Sequence, residues 1–412
     1  MSESALVRQR ADVIAPRTED EFIEFIRDAN VNGAPVRLSG ACNWLDAGRP
    51  VHANSILSTE KLSGIVEYVP GDLVLTARAG TSLAELAKAT AEHGQWFALD
   101  PFGHASGTLG ATIATASSGP LSTGFGRARD LVLGITAITG DGQRIRVGGR
   151  VVKNVAGFDL VRLLTGSWGT LALITEVSVR LHALPQREES VVVQLSGSSL
   201  DAQLTALRAM PLSTMALQLV DSTTASTLTG QTHHSPVLLA RLGGNAARVN
   251  AQRALLANVG RCDSADDGIW TRFRELELHR KQTLAPFVMR VSHGASKTAA
   301  LFTALMHIAS RHDSSVFVAV SPLDGIARVI GFDPAAASTF IDSARSFGAR
   351  VIGERLMLSD WQRLPSPMNR IAEGIRNRFD PARILNRGLF DNASSSHALS
   401  HALSHALTHA LP

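Results

Sequence analysis

Cysteine is nearly absent from the 412-residue chain, which holds two, Cys42 and Cys262. Two thiols cannot supply a four-cysteine iron–sulfur cluster. They cannot build a disulfide scaffold either, which fits a reducing compartment. A surplus of one charge is also missing. Forty Lys and Arg stand against 36 Asp and Glu, a net charge of +4, so there is no polybasic footprint for nucleic acid. Long apolar runs are lacking too. No apolar segment follows the charged N-terminus, which argues against a secretory signal. The longest low-charge stretch, 107–122, is too rich in Gly, Thr and Ser to span a membrane. What remains is an ordinary globular balance, 45% hydrophobic and 18% charged. The length suits two or three domains, with cores that need no metal or disulfide.

The pattern predicts alternating strands and helices. Thr18 with Glu21 reads as a capping box opening a helix through Phe22, Ile26 and Ala29. A strand over 35–38 runs into the small-residue turn Ser39-Gly40-Ala41-Cys42-Asn43. A second strand, 73–77, turns at Gly80 into a helix capped by Ser82 with Glu85. Strands over 131–138 and 171–179 follow, the first closing a hairpin through Gly140-Asp141-Gly142. Beyond Leu184-Pro185, strands are expected at 191–193, 216–220, 237–240 and 316–320, with helices over 246–259 and 297–310. The alternation argues for an α+β or α/β architecture. The chain ends in a Ser-His-Ala-Leu repeat carrying His397, His401, His405 and His409. In a helix these would line one face and suit a metal, but the plainer reading is a low-complexity tail.

Two glycine clusters have the character of phosphate loops, where backbone N–H groups converge and side chains stay clear. They are Ser39 to Asn43 and Gly107-Thr108-Leu109-Gly110-Ala111. Neither is a Walker loop, and neither is a Rossmann fingerprint. Read alone, each is as well an ordinary turn.

Their order with other pieces says more. Asp100-Pro101, the Gly107–Gly119 run, Arg129-Asp130-Leu131-Val132-Leu133-Gly134 and Lys153-Asn154-Val155-Ala156-Gly157-Phe158-Asp159-Leu160 come in sequence. Arg162-Leu163, Gly166-Ser167-Trp168-Gly169-Thr170-Leu171, Ile174-Thr175-Glu176 and the closing Phe379-Asp380-Pro381-Ala382-Arg383-Ile384-Leu385-Asn386 complete the set. Over residues 10–391 this resembles the FAD-binding proteins of the vanillyl-alcohol oxidase or p-cresol methylhydroxylase type, and within them the E-subunit family of glycolate oxidases.

The resemblance implies an α+β fold: a two-subdomain FAD-binding domain over 1–185 and a ferredoxin-like α+β cap over 186–375. A segment over 376–391 would return to the FAD domain, and the tail over 392–412 lies outside. It implies a first pyrophosphate loop at Ser39, Gly40, Ala41, Cys42 and Asn43, and a second at Gly107, Thr108, Gly110 and Ala111. Ala114, Ser117, Ser118 and Gly119 would run beside the flavin and ribityl chain, with Ile174 near the adenine. Gly110 would leave room for the cofactor, so that a valine there blocks FAD rather than folding. Where the family has a Gly-Gly-Asn-Ser-Lys-like first loop, this chain has Asn43 in place of the lysine, and one positive partner is missing. That loop has no histidine, so FAD is expected to be non-covalent. Cys42 as a second attachment point is weighed against a small residue beside a turn, and the latter is favoured.

No proton-abstracting constellation emerges. The Gly-Asp-Gly-Asn run with histidines found in related hydroxy-acid flavoenzymes is absent, and Gly140 to Gln143 is better a hairpin turn. His293 reads as a structural or surface residue. Arg272 and Arg274, beside Trp270 and Glu275, suit a carboxylate clamp or a solvated helix face equally. Lys153, Asp159 and Arg162 read as a polar network holding the loop. The expected function is therefore an FAD-binding, electron-relaying subunit of a glycolate (2-hydroxy acid) oxidase. Its partners would be a D-like flavin subunit and an F-like iron–sulfur subunit. The complex would be cytoplasmic and meet the inner membrane face through its partners. Rival readings are a stand-alone FAD oxidase of a small alcohol or hydroxy acid, and a scaffold that has lost FAD.

Overall fold

A computed structural model describes residues 12–103, 106–149, 159–195, 199–278, 284–312 and 316–390. The motif over 152–158, including Lys153, and the histidine tail lie outside these residues.

Thr18 caps the helix Glu19–Val31 as the sequence predicts: Glu21 N–H donates to Thr18 Oγ1 at 3.3 Å, and the Glu21 carboxylate accepts from Thr18 N at 3.4 Å. Phe22, Ile26 and Ala29 are its buried stripe. They face a parallel sheet of β1 (Asp12–Ile14), β2 (Val36–Ser39) and β3 (Ser55–Ser58) in the order β1–β3–β2. Leu38 and Leu57 join that core, as do Ile384 and Leu385 from the far end of the chain. The end is held there by backbone: Val36 N donates to Ile384 O at 2.8 Å, and Asn386 N to Val36 O at 2.9 Å.

Next come β4 (Ile65–Val69), β5 (Val74–Arg78), β6 (Gln95–Trp96), β7 (Val132–Thr139), β8 (Arg144–Gly148), β9 (Ala172–Arg180) and β10 (His182–Ala183). Five of them make one antiparallel sheet, β4–β5–β9–β7–β8, while β6 and β10 pair separately. The predicted 140–142 hairpin joins β7 to β8, and Ser82 caps the helix Leu83–Ala91, accepting from Glu85 N at 3.1 Å.

The remaining strands are β11 (Arg187–Leu195), β12 (Ala216–Val220), β13 (Val237–Gly244), β14 (Gly260–Ala265), β15 (Phe287–Ser292), β16 (Val316–Ser321), β17 (Ile326–Gly331) and β18 (Arg350–Arg355). They form a single antiparallel sheet ordered β14–β11–β13–β12–β16–β17–β15–β18. Each half has one topology. Counting strands within a half from one to four, the order is 4-1-3-2 in both, and helices follow the first and third strands. That is the βαββαβ ferredoxin-like unit, present twice and joined edge to edge at β12 and β16. The junction is short, with Leu219 opposite Val320 and Val220 opposite Ala319.

The apolar-run reading found β11, β12, β13 and β16 but not β14, β15, β17 or β18. The latter carry charges inside the strand. Arg290 stands in β15, Arg328 in β17, and Glu354 and Arg355 in β18. These charges are mutually paired, so the sheet tolerates them where a hydrophobic scan sees an interruption.

Candidate cofactor-binding cleft

The small-residue turn after β2 and the start of the helix Leu109–Thr115 meet face to face. A Cβ at Gly40 would overlap Thr108 Oγ1 and lie 3.0 Å from the Ala111 methyl. Glycine at 40 is what lets the two loops approach. The carbonyl side of the first loop is tied to β3 and its exit: Ser58 Oγ donates to Gly40 O at 2.7 Å, and Thr59 N to Ser39 O at 2.9 Å. Cys42 adopts left-handed φ, +57°, and Asn43 Nδ2 donates to Ser106 Oγ at 3.0 Å.

Between the loops lies a cleft of about 1010 Å³, the open solvent at its mouth included. Twelve of the fourteen residues singled out from the resemblance line it: Ser39, Gly40, Ala41, Cys42, Asn43, Gly107, Thr108, Gly110, Ala111, Ala114, Ser117 and Ile174. Ser118 and Gly119 do not. Ser118 Oγ accepts from Ala128 N at 3.2 Å. A Cβ at Gly119 would overlap the Asp100 carbonyl, so that glycine serves the Asp100 contact.

Gly110 needs the same kind of correction. Its N–H donates to Ala79 O at 2.8 Å, and a Cβ there would sit 2.5 Å from the Ala79 methyl and 3.1 Å from Ala79 backbone. The missing side chain makes room for the turn after β5 rather than for a ligand. A valine at 110 therefore strains the fold itself.

Other wall residues escaped the sequence reading. Trp168 takes a left-handed φ of +55° and donates its N–H to Ala114 O at 2.7 Å, fastening the Gly-Ser-Trp-Gly turn to the helix Leu109–Thr115. Asn386 clamps β2 to the Gly-Ser-Trp-Gly turn, accepting from Leu38 N at 2.8 Å and donating to Trp168 O at 2.7 Å. Trp44 packs against Trp168 with ring centres 6.2 Å apart. Arg37, 7% exposed, reaches the wall from β2. Asn386 and Arg37 both lay inside segments that the sequence made conspicuous. What a linear reading lacked was their convergence.

The wall suits FAD on two observations. Thr108 Oγ1 is buried without a hydrogen-bond partner among the described residues, although Thr108 stands at the N-cap of its helix, where a hydroxyl ordinarily caps. Small residues and backbone dominate the surface, the lining that a dinucleotide with a long polar middle requires. Ser39 to Asn43 and Gly107 to Ala111 would hold the pyrophosphate.

The other sequence candidates lie elsewhere. His293 accepts from Gly294 N at 2.7 Å and packs on Phe347. Arg272 donates to Asp266 at 2.9 Å and to Leu228 O at 2.7 Å, while Trp270 Nε1 donates to Ser190 Oγ at 3.0 Å. Neither Arg272 nor Arg274 lines the cleft. Asp159 and Arg162 form a local pair at 3.1 Å, with Asp159 accepting from Arg162 N at its helix start. Among the described residues no group of three His, Cys, Asp or Glu is placed to hold a metal, and no helix is long and apolar enough to cross a membrane.

Beside the cleft, the ferredoxin-like sheet buries an ion network. Arg328 pairs with Glu277 and, at 2.7 Å, with Glu354. Arg290 approaches Glu354 at 2.6 Å, and Arg355 reaches Glu277 at 3.3 Å and Asp46 at 2.6 Å. Burial pushes the Glu354 carboxyl up, and Arg328 and Arg290 pull it back below the ordinary carboxylate range. The Arg328 guanidinium lies 3.8 Å from the centre of the Phe102 ring, and Phe102 is itself a wall residue of the cleft. Asp100, two residues earlier, is fully enclosed. Burial pushes its carboxyl up to about 7, against the pull of Leu121 N–H, Arg241 and Arg274.

Fold and cleft together define a flavoprotein of the p-cresol methylhydroxylase type, and comparison with known proteins agrees. Residues 11–148 match the FAD binding domain family. The structure of p-cresol methylhydroxylase with substrate bound superposes with a TM-score of 0.72 at 14% identity, covering 93% of this chain and 89% of that one. Glycolate oxidase subunit GlcE of Escherichia coli is 31% identical over 259 residues, 62% of this chain and 68% of that protein. The chain belongs to the family of FAD-linked oxidoreductases that includes this subunit, and FAD is its cofactor. An uncharacterized FAD-linked oxidoreductase of Mycobacterium tuberculosis is 33% identical over 217 residues, 52% of this chain but 47% of that protein. D-lactate dehydrogenase of Archaeoglobus fulgidus is 35% identical over 184 residues, 44% of this chain and 41% of that one. The chain thus spans about half the length of several curated relatives it matches.

Proposed function

We propose that the chain is the FAD-binding subunit of a multi-subunit glycolate or 2-hydroxy acid oxidase, passing electrons to an iron–sulfur partner. The observation that carries this is the chemistry of the cleft wall. Its ionisable side chains among the described residues are Arg37 and Cys42, with no histidine, lysine or carboxylate. Removing a proton from a substrate hydroxyl needs a titratable group within hydrogen-bond reach. A D-like flavin subunit would supply it. The name of the GlcE relative supports the assignment to such a complex.

Bound FAD supplies the electron-accepting chemistry. The chain's share is to hold and enclose it. The two loops grip the pyrophosphate, Trp44 and Trp168 close the apolar wall, and Asn386 keeps β2 and the Gly-Ser-Trp-Gly turn in register. The first loop has no histidine, so the flavin is held without a covalent bond. The division into an FAD-binding part over 1–185, a cap over 186–375 and a returning segment over 376–391 belongs to this proposal. The separate sheets support it.

The test is steady-state glycolate oxidation with an artificial acceptor, by the chain alone and with D- and F-like subunits. The purified chain should be yellow, release FAD on acid or heat, and turn over well only in the complex. Robust turnover by the lone chain would put the active site here. A colourless protein that takes up no FAD would overturn the cofactor role.

A further inference from the structure

The ion network has an odd member. Starting from the cleft, Arg37 lies within electrostatic reach of Asp46, Asp46 pairs with Arg355, Arg355 with Glu277, Glu277 with Arg328, Arg328 with Glu354, and Glu354 with Arg290. Four guanidinium groups thus share three carboxylates among the described residues; Arg290, at the far end, is a third exposed, whereas Arg37 is buried. Asp46 is already taken up by Arg355 at 2.6 Å. Arg37 itself makes only carbonyl bonds, its Nη2 donating to Ala47 O at 3.2 Å and Trp44 O at 3.5 Å. It is the cation at the cleft end of the chain, it is buried, and it lines the wall where Ser39 to Asn43 begin.

Burial without a full counter-charge disfavours a guanidinium cation and lowers the Arg37 pKa to about 10, with Asp46 opposing. An anion in the cleft would complete the balance. The first loop, meanwhile, carries Asn43 where the family resemblance expects a lysine, and a pyrophosphate brings two negative charges. We propose that Arg37 is the counter-charge for the FAD pyrophosphate, doing from β2 what the loop lysine does not do here. This rests on the FAD assignment above. Arg37 is held by the carbonyls of Ala47 and Trp44, both bonded through Nη2.

The experiment titrates the full chain, freed of flavin, with FAD, ADP and riboflavin. Parent, Arg37→Met, Arg37→Gln and Arg37→Lys are compared, with flavin content as purified and thermal melting read alongside. Glutamine keeps a donor for the two carbonyls while removing the charge, so it separates charge from packing. Both neutral variants should bind FAD and ADP at least tenfold more weakly and riboflavin within about twofold of the parent. Lysine should recover part of the loss, and the melting temperature of the glutamine variant should stay near the parent's. Equal weakening for riboflavin and ADP, or weakening for riboflavin alone, would overturn the assignment to the pyrophosphate. Unchanged FAD affinity in both neutral variants would do the same while leaving FAD as the cofactor. A parent chain that binds none of the three would instead break the FAD reading on which the inference stands.

Discussion

The cleft wall and the neighbouring face of the ferredoxin-like sheet handle polarity in opposite ways. The wall is built of backbone, hydroxyls and small side chains, with Arg37 as its one permanently charged group among the described residues. The sheet face, with the short helix Leu276–Leu278 laid on it, buries Arg328, Arg355, Glu277 and Glu354 and half-buries Arg290, each in contact with opposite charge. A cofactor is bound by the first kind of surface, whose backbone and hydroxyls await outside partners. Surfaces of the second kind are already charge-paired within the protein, so they position a neighbour rather than bind a ligand. The Arg328 guanidinium stacked on Phe102 is the point where one surface meets the other.

The sharpest way to break this contrast is to unbalance the sheet. Glu354→Gln leaves Arg328 and Arg290 short of a carboxylate, and removing one partner of a buried pair costs about 3–5 kcal/mol. Urea unfolding should show a loss in that range. A loss well under 1 kcal/mol, the order seen for exposed pairs, would mean that the network is hydrated and the contrast false.

Next in size are two glycines from opposite sides of the second loop. Gly110→Val forces a side chain against Ala79, and overpacking of that kind costs roughly 1–3 kcal/mol. Melting of the flavin-free chain should fall together with FAD content. Gly40→Ala presses on Thr108 Oγ1 and Cβ and on the Ala111 methyl, so it should part the two loops and weaken FAD binding sharply, with a smaller fall in the melting of the flavin-free chain than Gly110→Val gives. If both variants behave alike, the cleft side and the packing side of that loop have been assigned wrongly.

Asp100 gives a smaller effect with a definite sign. Its folded carboxyl sits at about 7, above the ordinary value of 3.8, so the native state holds a proton that the unfolded chain has released. Stability from this group is fully present below about pH 4 and fades as pH rises through about 7. Between pH 6 and pH 8 the parent should lose on the order of 1 kcal/mol more than Asp100→Asn. Parallel stability curves for the two proteins would place Asp100 in contact with water. Smallest of all is His293→Ala. With its ring on Phe347 outside the cleft, it should leave FAD content and the activity of the complex within a few-fold of normal.

Much of the first half was legible because its signals are local. The capping box at Thr18, the hairpin at 140–142 and the loop glycines each announce themselves within a few residues. The Leu38–Asn386–Trp168 clamp is not legible that way. Its members are hundreds of positions apart, and an asparagine takes its meaning only from the two backbone groups it joins. The charged strands β15, β17 and β18 were illegible for a related reason. Arg290, Arg328 and Glu354 look like solvent-facing residues until their partners, supplied by other strands, are known. Gly110 and Gly119 were found as conspicuous glycines but misread in purpose, since each makes room for a protein neighbour, Ala79 and Asp100.

The double βαββαβ layout gives the large sheet a seam with a short ladder. Inside each half the ladders are long, eight residue pairs between β11 and β13, whereas β12 and β16 share two pairs. One buried side chain extends the seam: Asp221 accepts from Val318 N at 3.1 Å through its carboxylate, and its own N–H donates to Val318 O at 3.2 Å. The seam is closed on both faces by shared cores: Leu217, Leu219, Phe287 and Val318 pack in one cluster, and Val220, Phe317 and Ile330 in another. The half that contains β15, β17 and β18 is therefore buttressed on one side by its twin and on the other by the cleft region, where Arg328 stacks on Phe102 and Arg355 pairs with Asp46.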